Sequence, residues 1–189
     1  SSVLTNLSAW QPESGMIVRH PEDEIAAINN ALGSSFAGVR SAVGTSGGGF
    51  ALMVESVSYA GLAEIPIVIL LAQRPGPATG MPTWTEQGDL LFAVHAGHGE
   101  FPKIVLAPGD VEEMLEITGE AFNLADIYQL PVIVLSDKFL SETLFTSEDS
   151  KLNQIISDYK VDRGKLLERS EGKYLRYKVT DDGISPLLI

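Results

Sequence analysis

The chain has 189 residues, no cysteine and a formal net charge of −12 at pH 7. Its length fits one α/β domain with an appendage, and a hydrophobic content of 44% excludes wholesale disorder. The missing thiols exclude disulfides, thiol catalysis and cysteine-held zinc or iron–sulfur clusters in these residues, and the negative charge argues against a nucleic-acid partner.

Five runs rich in valine and isoleucine predict strands in chain order. They are residues 16–20 (MIVRH), 39–45 (VRSAVGT), 65–72 (IPIVILLA), 103–107 (KIVLA) and 131–137 (PVIVLSD). The last three are nearly unbroken apolar, which is typical of strands covered on both faces. None approaches the length of a membrane span. The chain begins Ser-Ser, with neither an initiator Met nor a signal-peptide pattern, so we expect a cytoplasmic protein processed or cut from a longer one.

Helical patterns lie between these strands. Residues 21–38 place Ile25, Ile28, Leu32 and Phe36 on one face, and residues 50–63 are apolar nearly all round, which predicts a buried helix. Residues 109–128 begin with a capping-box-like pair and carry an inner face, formed by Val111, Met114, Leu115, Phe122 and Ala125. The alternation predicts an α/β fold: a mostly parallel sheet with helices on both faces.

The composition changes after residue 137. Residues 138–189 are charged and lack the strand–helix alternation, although KYLRYKV at residues 173–179 is compatible with an edge strand. We therefore expect an α/β domain over residues 1–137 and a connector toward a following domain over residues 138–189.

Three unusual loops follow predicted strands: HPEDE (residues 20–24), TSGGG (45–49) and RPGPATGMPT (74–83). Ligands of open α/β sheets bind outside the carboxyl ends of the strands. If the strands are neighbours, the three loops converge on one rim.

Arg74 opens the third loop, and its forked guanidinium matches a carboxylate with two parallel hydrogen bonds. Pro75, Pro77 and Pro82 restrict the loop, which would preorganise whatever Arg74 and Thr83 hold. The structural alternative is that Arg74 caps helix carbonyls or pairs with an acid of the scaffold.

The acidic triplet Glu22, Asp23 and Glu24 begins a predicted helix, where negative side chains complement the helix dipole. That role alone explains most such triplets. However, Glu24 also lies at the margin of the inner face, next to Ile25, where partial burial would favour the protonated carboxyl. Such a group can share a proton with a ligand nitrogen.

TSGGG lacks the lysine and the spacing of a phosphate-binding loop. Its three glycines would let a ligand approach backbone N–H groups, or would simply make a tight strand–helix turn. His95 and His98 indicate an ordinary loop or interface, and we assign no metal to this chain.

Taken together, EDEIAAINNALGSSFAG, TSGGGFALMVE, AEIPIVILLAQRPGPATGMPTWTEQGDLL, HGEFPKIVLAPG and PVIVLSD closely resemble the alpha subunit of 2-oxoacid:ferredoxin oxidoreductases, the pyruvate and 2-oxoglutarate family. The resemblance covers residues 16–137 in order, and RYKVTDDGISPLLI also resembles that family's passage toward its next domain. It implies the pyrimidine-binding domain for thiamine diphosphate, in an enzyme that oxidatively decarboxylates a 2-oxoacid to acyl-CoA and passes electrons to ferredoxin.

The resemblance also implies roles for single residues. Glu24 matches the catalytic glutamate that contacts N1′ of the cofactor's aminopyrimidine, where a carboxyl favours the imino form that removes the C2 proton. Thr45, Ser46 and Gly47 match the lining of the pyrimidine pocket. Arg74 and Thr83 match the residues that hold the substrate carboxylate.

The chain departs from the family pattern in three ways. TSGGG replaces the usual TSGPG, so Gly48 loosens that loop. The YPITPS-like turn of the family's first strand is missing, which suggests a truncated N-terminal strand. The diphosphate- and Mg²⁺-binding motif and the iron–sulfur clusters are also missing. The family carries them on the beta subunit or its equivalent, so we expect this chain alone to be inactive.

Two other hypotheses remain open at this stage. The chain could be the pyrimidine domain of a transketolase-like thiamine enzyme, with another partner and electron acceptor. It could also be a non-catalytic assembly subunit, in which Glu24, Arg74 and Thr83 would point away from one another.

Overall fold

A four-stranded parallel sheet with strand order β1-β2-β4-β3 forms the centre of the computed structural model, which describes residues 2–188. Its strands are β1 (Ala42–Ser46), β2 (Ile67–Gln73), β3 (Ile104–Leu106) and β4 (Pro131–Asp137). Ser46 pairs with Ala72, and Gln73 pairs with Asp137. The carboxyl ends of β1, β2 and β4 therefore meet at one edge of the sheet.

Seven helices and a small second sheet complete the described part of the chain. The helices are α1 (Ser2–Ser14), α2 (Glu24–Phe36), α3 (Gly47–Leu62), α4 (Leu90–His95), α5 (Val111–Tyr128), α6 (Lys138–Glu142) and α7 (Asp149–Asp158). Two short parallel strands, β5 (Leu166–Leu167) and β6 (Leu187–Leu188), form the second sheet. Within residues 2–188, no helix combines the length and the apolar character needed to cross a bilayer.

Alternate residues of the central strands fill two cores on opposite faces of the sheet. One core joins the sheet to α2 and α3 and includes Ile28, Leu32, Phe50, Met53, Val57, Ile69, Leu71 and Ile133. The other joins the sheet to α5 and includes Val68, Ala121, Ala125, Val132 and Val134. Because β2 and β4 are covered on both faces, their sequences are continuously apolar. The predicted α/β fold is confirmed.

Side-chain caps fix where two of the main helices begin. The Asp23 carboxylate accepts a hydrogen bond from the Ala26 N–H at 2.7 Å. Asp110 accepts one from the Glu113 N–H at 2.8 Å, and the Glu113 carboxylate accepts one from the Gly109 N–H at 2.7 Å. Because Glu113 accepts from the residue before the N-cap and not from Asp110 itself, the arrangement resembles a capping box, as the sequence predicts, but is not strictly reciprocal.

Two strand predictions are wrong. Residues 16–20 form no strand: Ile17 is 76% exposed, and the Val18 N–H donates to the Gln11 side chain of the preceding α1 instead of to a sheet. Residues 173–179 also form no strand. The Arg176 side chain donates to the Glu64 carbonyl at 2.5 Å. This side-chain contact, and not β-ladder hydrogen bonding, joins the segment to the chain that follows α3.

The predicted burial is also wrong at several helical positions. Ile25 and Phe36 are 52% and 53% exposed, and Val111 and Leu115 of α5 are each 38% exposed. The buried stretch runs from Ile28 to Ser35 in α2 and from Ala121 to Asp126 in α5, and all four residues lie outside it.

The expectation of an all-round buried helix over residues 50–63 fails for the same kind of reason. Only one side of α3 faces the sheet, while Leu52, Tyr59 and Leu62 on the other side are 54%, 49% and 81% exposed. The apolar residues of α3 therefore form two surfaces, one covered by the sheet and one uncovered.

Residues 138–188 return to the α/β domain at several points. The Gln129 amide after α5 donates to the Ser185 carbonyl at 2.5 Å, and the Tyr177 hydroxyl donates to the Ala63 carbonyl at 3.2 Å. Helix α7 lies against α5, and its C-cap Tyr159 contacts Gly119. The division at residue 137 stays a prediction.

Candidate functional site

The neighbouring strands β1 and β2 bring two of the three predicted loops together. TSGGG turns from β1 into α3, and RPGPATGMPT leaves the end of β2 one strand away. The third loop, HPEDE, does not leave a strand, but the helix that follows it brings Glu24 to the same corner. Convergence is therefore confirmed for these loops, although only two of them start from strand ends.

Glu24 is the first residue of α2 and is half-buried. A Cβ added at Gly49 would lie 2.8 Å from the Glu24 Oε1 and would overlap the Thr45 hydroxyl. The glutamate carboxylate and the threonine hydroxyl thus share the space that glycine leaves open. In the described part of the chain, no side chain or backbone N–H forms a hydrogen bond with the Glu24 carboxylate, while the neighbouring Asp23 provides the helix cap.

Thr45, Ser46 and Gly47 make the turn from β1 into α3, and all three are half-buried. Within residues 2–188, the Thr45 hydroxyl donates only one long hydrogen bond, of 3.4 Å, to the Ser46 carbonyl. Ser46 occupies the N-cap of α3, yet its side chain makes no capping hydrogen bond. The first N–H groups of a helix lack partners within the helix, so this turn presents donors toward the corner that holds Glu24.

The Arg74 loop folds over the beginning of α3. A Cβ added at Gly48 would lie 3.4 Å from the Ala78 carbonyl oxygen, which places the loop beside the glycine turn. The loop is closed by the Met81 N–H, which donates to the Pro75 carbonyl at 3.1 Å. Arg74 donates through Nη1 to the Thr79 carbonyl at 2.5 Å, so part of its guanidinium stabilises its own loop. Its Nε and Nη2 have no partner among residues 2–188.

Thr83 lies at the end of this loop and is exposed. Its hydroxyl forms no hydrogen bond within the described residues. Glu24, Thr45 and the Ala78 carbonyl of the Arg74 loop therefore adjoin the glycine turn.

Asp89 is the residue of this region that the sequence reasoning missed. Its carboxylate packs against Gly47, where a Cβ would lie 2.7 Å from Oδ2, and that oxygen is buried without a hydrogen-bond partner. Burial raises the pKa of the Asp89 carboxyl, and the nearby Glu86 raises it further. No local pattern in TWTEQGD indicates that Asp89 contacts Gly47, which lies 42 positions earlier.

Other features lie away from this corner. A surface groove lined by Asn29, Leu32, Gly33, Phe36, Tyr59 and Ile65 lies toward the C-terminal ends of α2 and α3, and no candidate residue lines it. His95 and His98 are exposed, and the His98 N–H donates to the Ser58 hydroxyl at 3.0 Å. Across residues 2–188, no group of three His, Asp or Glu side chains is placed to hold a metal ion.

Comparisons with known proteins identify the family of this chain. Residues 1–177 match the sequence profile of the family described as pyruvate flavodoxin/ferredoxin oxidoreductase, thiamine diphosphate-binding. The 2-oxoacid:ferredoxin oxidoreductase 1 alpha subunit of Sulfurisphaera tokodaii is 49% identical over 171 residues, which are 90% of this chain and 27% of that protein. The 2-oxoglutarate synthase subunit KorA of Archaeoglobus fulgidus is 42% identical over 140 residues, which are 74% of this chain and 40% of that protein.

A solved structure has the same fold. The 2-oxoglutarate:ferredoxin oxidoreductase from Magnetococcus marinus, solved with 2-oxoglutarate, coenzyme A and succinyl-CoA bound, superimposes with a TM-score of 0.87 at 40% identity. The match covers 98% of this chain and 32% of that one, so the chain spans roughly a quarter to two fifths of the relatives named here. The chain belongs to the thiamine diphosphate-binding domain family of the 2-oxoacid:ferredoxin oxidoreductase alpha subunits.

Proposed function

We propose that this chain supplies the pyrimidine half of a thiamine diphosphate site in a 2-oxoacid:ferredoxin oxidoreductase. The enzyme would oxidatively decarboxylate a 2-oxoacid to acyl-CoA and pass the electrons to ferredoxin. The observation that carries the proposal is the Glu24 carboxylate, which lies half-buried against Gly49 without a hydrogen-bond partner in residues 2–188. A scaffold acid would use its oxygens within the fold, as Asp23 does.

Glu24 is the catalytic residue of this proposal. Bound thiamine diphosphate would supply a nucleophilic carbon for the 2-oxo group and an electron sink for the pair left on the substrate carbon when CO₂ departs. The role of Glu24 is to hold a proton between Oε1 and a ring nitrogen of the aminopyrimidine. Gly49 is needed because any larger residue would fill the space between the carboxylate and the Thr45 hydroxyl.

The β1–α3 turn would bind the rest of the pyrimidine ring. The hydroxyls of Thr45 and Ser46 are not committed to strong hydrogen bonds, and Gly47 exposes backbone at the start of α3. Donors held by a strand end and a helix start lose little freedom when a ligand binds, which favours affinity.

Arg74 and Thr83 would hold the substrate carboxylate. Arg74 keeps its loop in place through Nη1, while Nε and Nη2 remain available for a forked contact with a carboxylate. The exposed Thr83 hydroxyl can donate to the same group once substrate is bound. This arrangement combines the structural and the ligand-binding interpretations of Arg74.

A partner subunit would complete the site and cover the uncovered side of α3. This side and the neighbouring α4 expose Leu52, Tyr59, Leu62, Leu90, Leu91 and Val94. Phe50 and Phe92 lie 5.2 Å apart between their ring centroids and hold the two helices together. Because this apolar surface begins beside Gly48, we assign it to the beta subunit. That subunit would bring the Mg²⁺- and diphosphate-binding half and an iron–sulfur cluster to a cytoplasmic complex.

Glu24→Gln in the reconstituted complex tests the proposal. We expect loss of 2-oxoacid decarboxylation because the amide cannot exchange the proton, while size-exclusion chromatography shows unchanged assembly. Arg74→Ala should raise KM for the 2-oxoacid by about tenfold or more, since it removes a charge-assisted contact. Retained turnover in Glu24→Gln, or an unchanged KM in Arg74→Ala, would contradict the respective role.

A further inference from the structure

Residues 85–89 form a strap that follows directly after the Arg74 loop. Three alternate residues of this strap connect it to the sheet edge. The Thr85 hydroxyl accepts from the Phe139 N–H at 3.3 Å, and the Gln87 amide donates to Asp137 Oδ2 at 2.6 Å. The Asp89 N–H donates to Gln73 Oε1 at 2.9 Å. The strap thus spans the carboxyl ends of β2 and β4, although it belongs to neither strand.

Asp137 is the firmest of these anchor points. It is the last residue of β4, only 8% exposed, and its backbone pairs with Gln73 of β2. Its Oδ1 accepts from the Leu140 N–H at 2.7 Å and caps α6, while its Oδ2 accepts from Gln87. Because both oxygens have fixed donors, the Gln87 amide is held at a defined distance from the sheet.

The strap and the Arg74 loop are continuous and joined by their own hydrogen bonds. The Trp84 N–H donates to the Met81 carbonyl, and the Met81 N–H donates to the Pro75 carbonyl, each at 3.1 Å. A displacement at Gln87 would therefore be passed through Trp84 to Thr83 and the Arg74 turn. In the described hydrogen bonds, residues 82–88 are tied to β4 only by Gln87 and to the start of α6 only by Thr85.

We propose that the Gln87–Asp137 hydrogen bond is a latch that sets the position of the Arg74 loop. Gln87 and Asp137 would act as positioning residues for Arg74 and Thr83. Neither touches the reacting atoms. The effect on substrate rests on the proposed function, because it assumes that the Arg74 loop binds the 2-oxoacid carboxylate.

The direction of the Gln87–Asp137 hydrogen bond can be reversed by substitutions with side chains of nearly the same shape. Gln87→Glu places two carboxylates face to face and removes the donor. In Asp137→Asn, the Gln87 amide can turn over and accept from the new amide group while the Leu140 N–H keeps its acceptor. The double variant Gln87→Glu with Asp137→Asn restores one donor and one acceptor in the opposite direction.

The experiment measures steady-state kinetics and hydrogen exchange on the complete complex that contains this chain. We expect Gln87→Glu to raise KM for the 2-oxoacid about tenfold with kcat within about twofold, because it affects binding and not the chemical step. Asp137→Asn and the double variant should both stay within about threefold of the original KM. Amides of residues 79–89 should exchange faster in Gln87→Glu and return to normal in the double variant.

The outcomes separate the latch from the proposed function. If Arg74→Ala raises KM but Gln87→Glu leaves it unchanged, or if Asp137→Asn fails to rescue Gln87→Glu, the latch is wrong and the function stands. If the unmodified complex decarboxylates no 2-oxoacid, the function is wrong, and the exchange of residues 79–89 still decides whether the latch exists.

Discussion

At the residue scale, the corner contains two carboxyl groups in different surroundings. Glu24 faces open space beside Gly49, whereas the Asp89 carboxylate is pressed against Gly47 with its Oδ2 buried and unpartnered. Both contacts depend on a glycine that has no side chain to occupy the space. The difference leaves Glu24 able to meet a ligand and leaves Asp89 as a group that lowers the stability of the fold when it ionises.

Asp89→Asn is predicted to stabilise the protein at neutral pH. The folded carboxyl has a pKa raised by burial, above its ordinary value of 3.8, so the folded state holds the proton more tightly than the unfolded chain does. The free energy of unfolding of the original protein therefore falls as pH rises from that value to the raised pKa. Asparagine cannot ionise and avoids this loss.

Chemical unfolding at a series of pH values measures this effect. The advantage of Asp89→Asn should be small at pH 3 and reach its full size above the raised pKa of Asp89. The exposed Asp181 provides a control, since Asp181→Asn removes the same charge without a change in burial. A stability difference for Asp89→Asn that does not vary with pH would sink this interpretation.

At the scale of elements, the first turn of α3 consists of glycines, which leave space for groups from neighbouring segments. The helix begins with three glycines, and their neighbours differ. Gly47 meets Asp89, Gly48 approaches the Ala78 carbonyl at an ordinary distance, and Gly49 adjoins both Glu24 and Thr45. The helix start can therefore be tested position by position.

Gly49→Ala should weaken thiamine diphosphate binding. Its Cβ would overlap the Thr45 hydroxyl and lie 2.7 Å from the Glu24 Cγ, so the glutamate must move. Overpacking of this kind costs about 1–3 kcal/mol, which corresponds to about fivefold to 150-fold in Kd if the strain falls on the bound state. Calorimetric titration of the complex with the cofactor measures it.

Gly48→Ala on the same helix is the matched control. Among residues 2–188, its Cβ would have only the Ala78 carbonyl oxygen within 4 Å, at 3.4 Å. We expect its cofactor affinity to remain within about threefold. Equal losses in the two variants would show that the turn, and not the Glu24 cradle, is what matters.

The central strands could be predicted from sequence because each carries its own signal. IPIVILLA and PVIVLSD are continuously apolar, and the structure covers both faces of β2 and β4. MIVRH has a shorter apolar run of three residues, finds no partner strand within residues 2–188 and stays largely exposed. Strand formation there depends on a neighbour that a local pattern cannot report.

The candidate site also has parts that the sequence predicts and parts that it does not. The glycine turn and the proline-rich Arg74 loop stand out in sequence, and their strands are neighbours, so their convergence was predictable. The contacts of Asp89 with Gly47 and of Gln87 with Asp137 join residues 42 and 50 positions apart through ordinary polar side chains. Only the fold brings such pairs together.

At the scale of the whole molecule, Arg40 joins the sheet domain to the segment that follows α7. Its guanidinium donates to the Asp126 carboxylate, the Asn123 side chain and the Asp162 carbonyl, each at 2.7 Å, and to the Tyr159 hydroxyl at 2.8 Å. The Arg163 Nε lies 2.6 Å from the same Asp126 oxygen without the alignment of a hydrogen bond, so Asp126 relies on Arg40 for its donor.

Arg40→Ala should therefore destabilise the protein by about 2–3 kcal/mol, because it leaves a buried carboxylate without its hydrogen-bond donor. Hydrogen exchange at residues 159–164 should increase together with this loss. Lys151→Ala is the control, since the Lys151–Glu112 pair is 3.6 Å apart and largely exposed, and should change stability by less than about 0.5 kcal/mol. A loss no larger than that of the control would mean that the segment is held by other contacts.

The uncovered side of α3 also has a consequence for expression of this protein in a host cell. If the proposed beta subunit covers this side, a newly made chain exposes Leu52, Leu62 and Leu91 to water until that subunit binds, with Leu62 at 81% exposure. An exposed apolar surface of this kind favours chaperone binding and aggregation. Yield should thus follow the supply of the beta subunit, and a bacterial host that synthesises both polypeptides from one transcript should outperform mixing after separate purification.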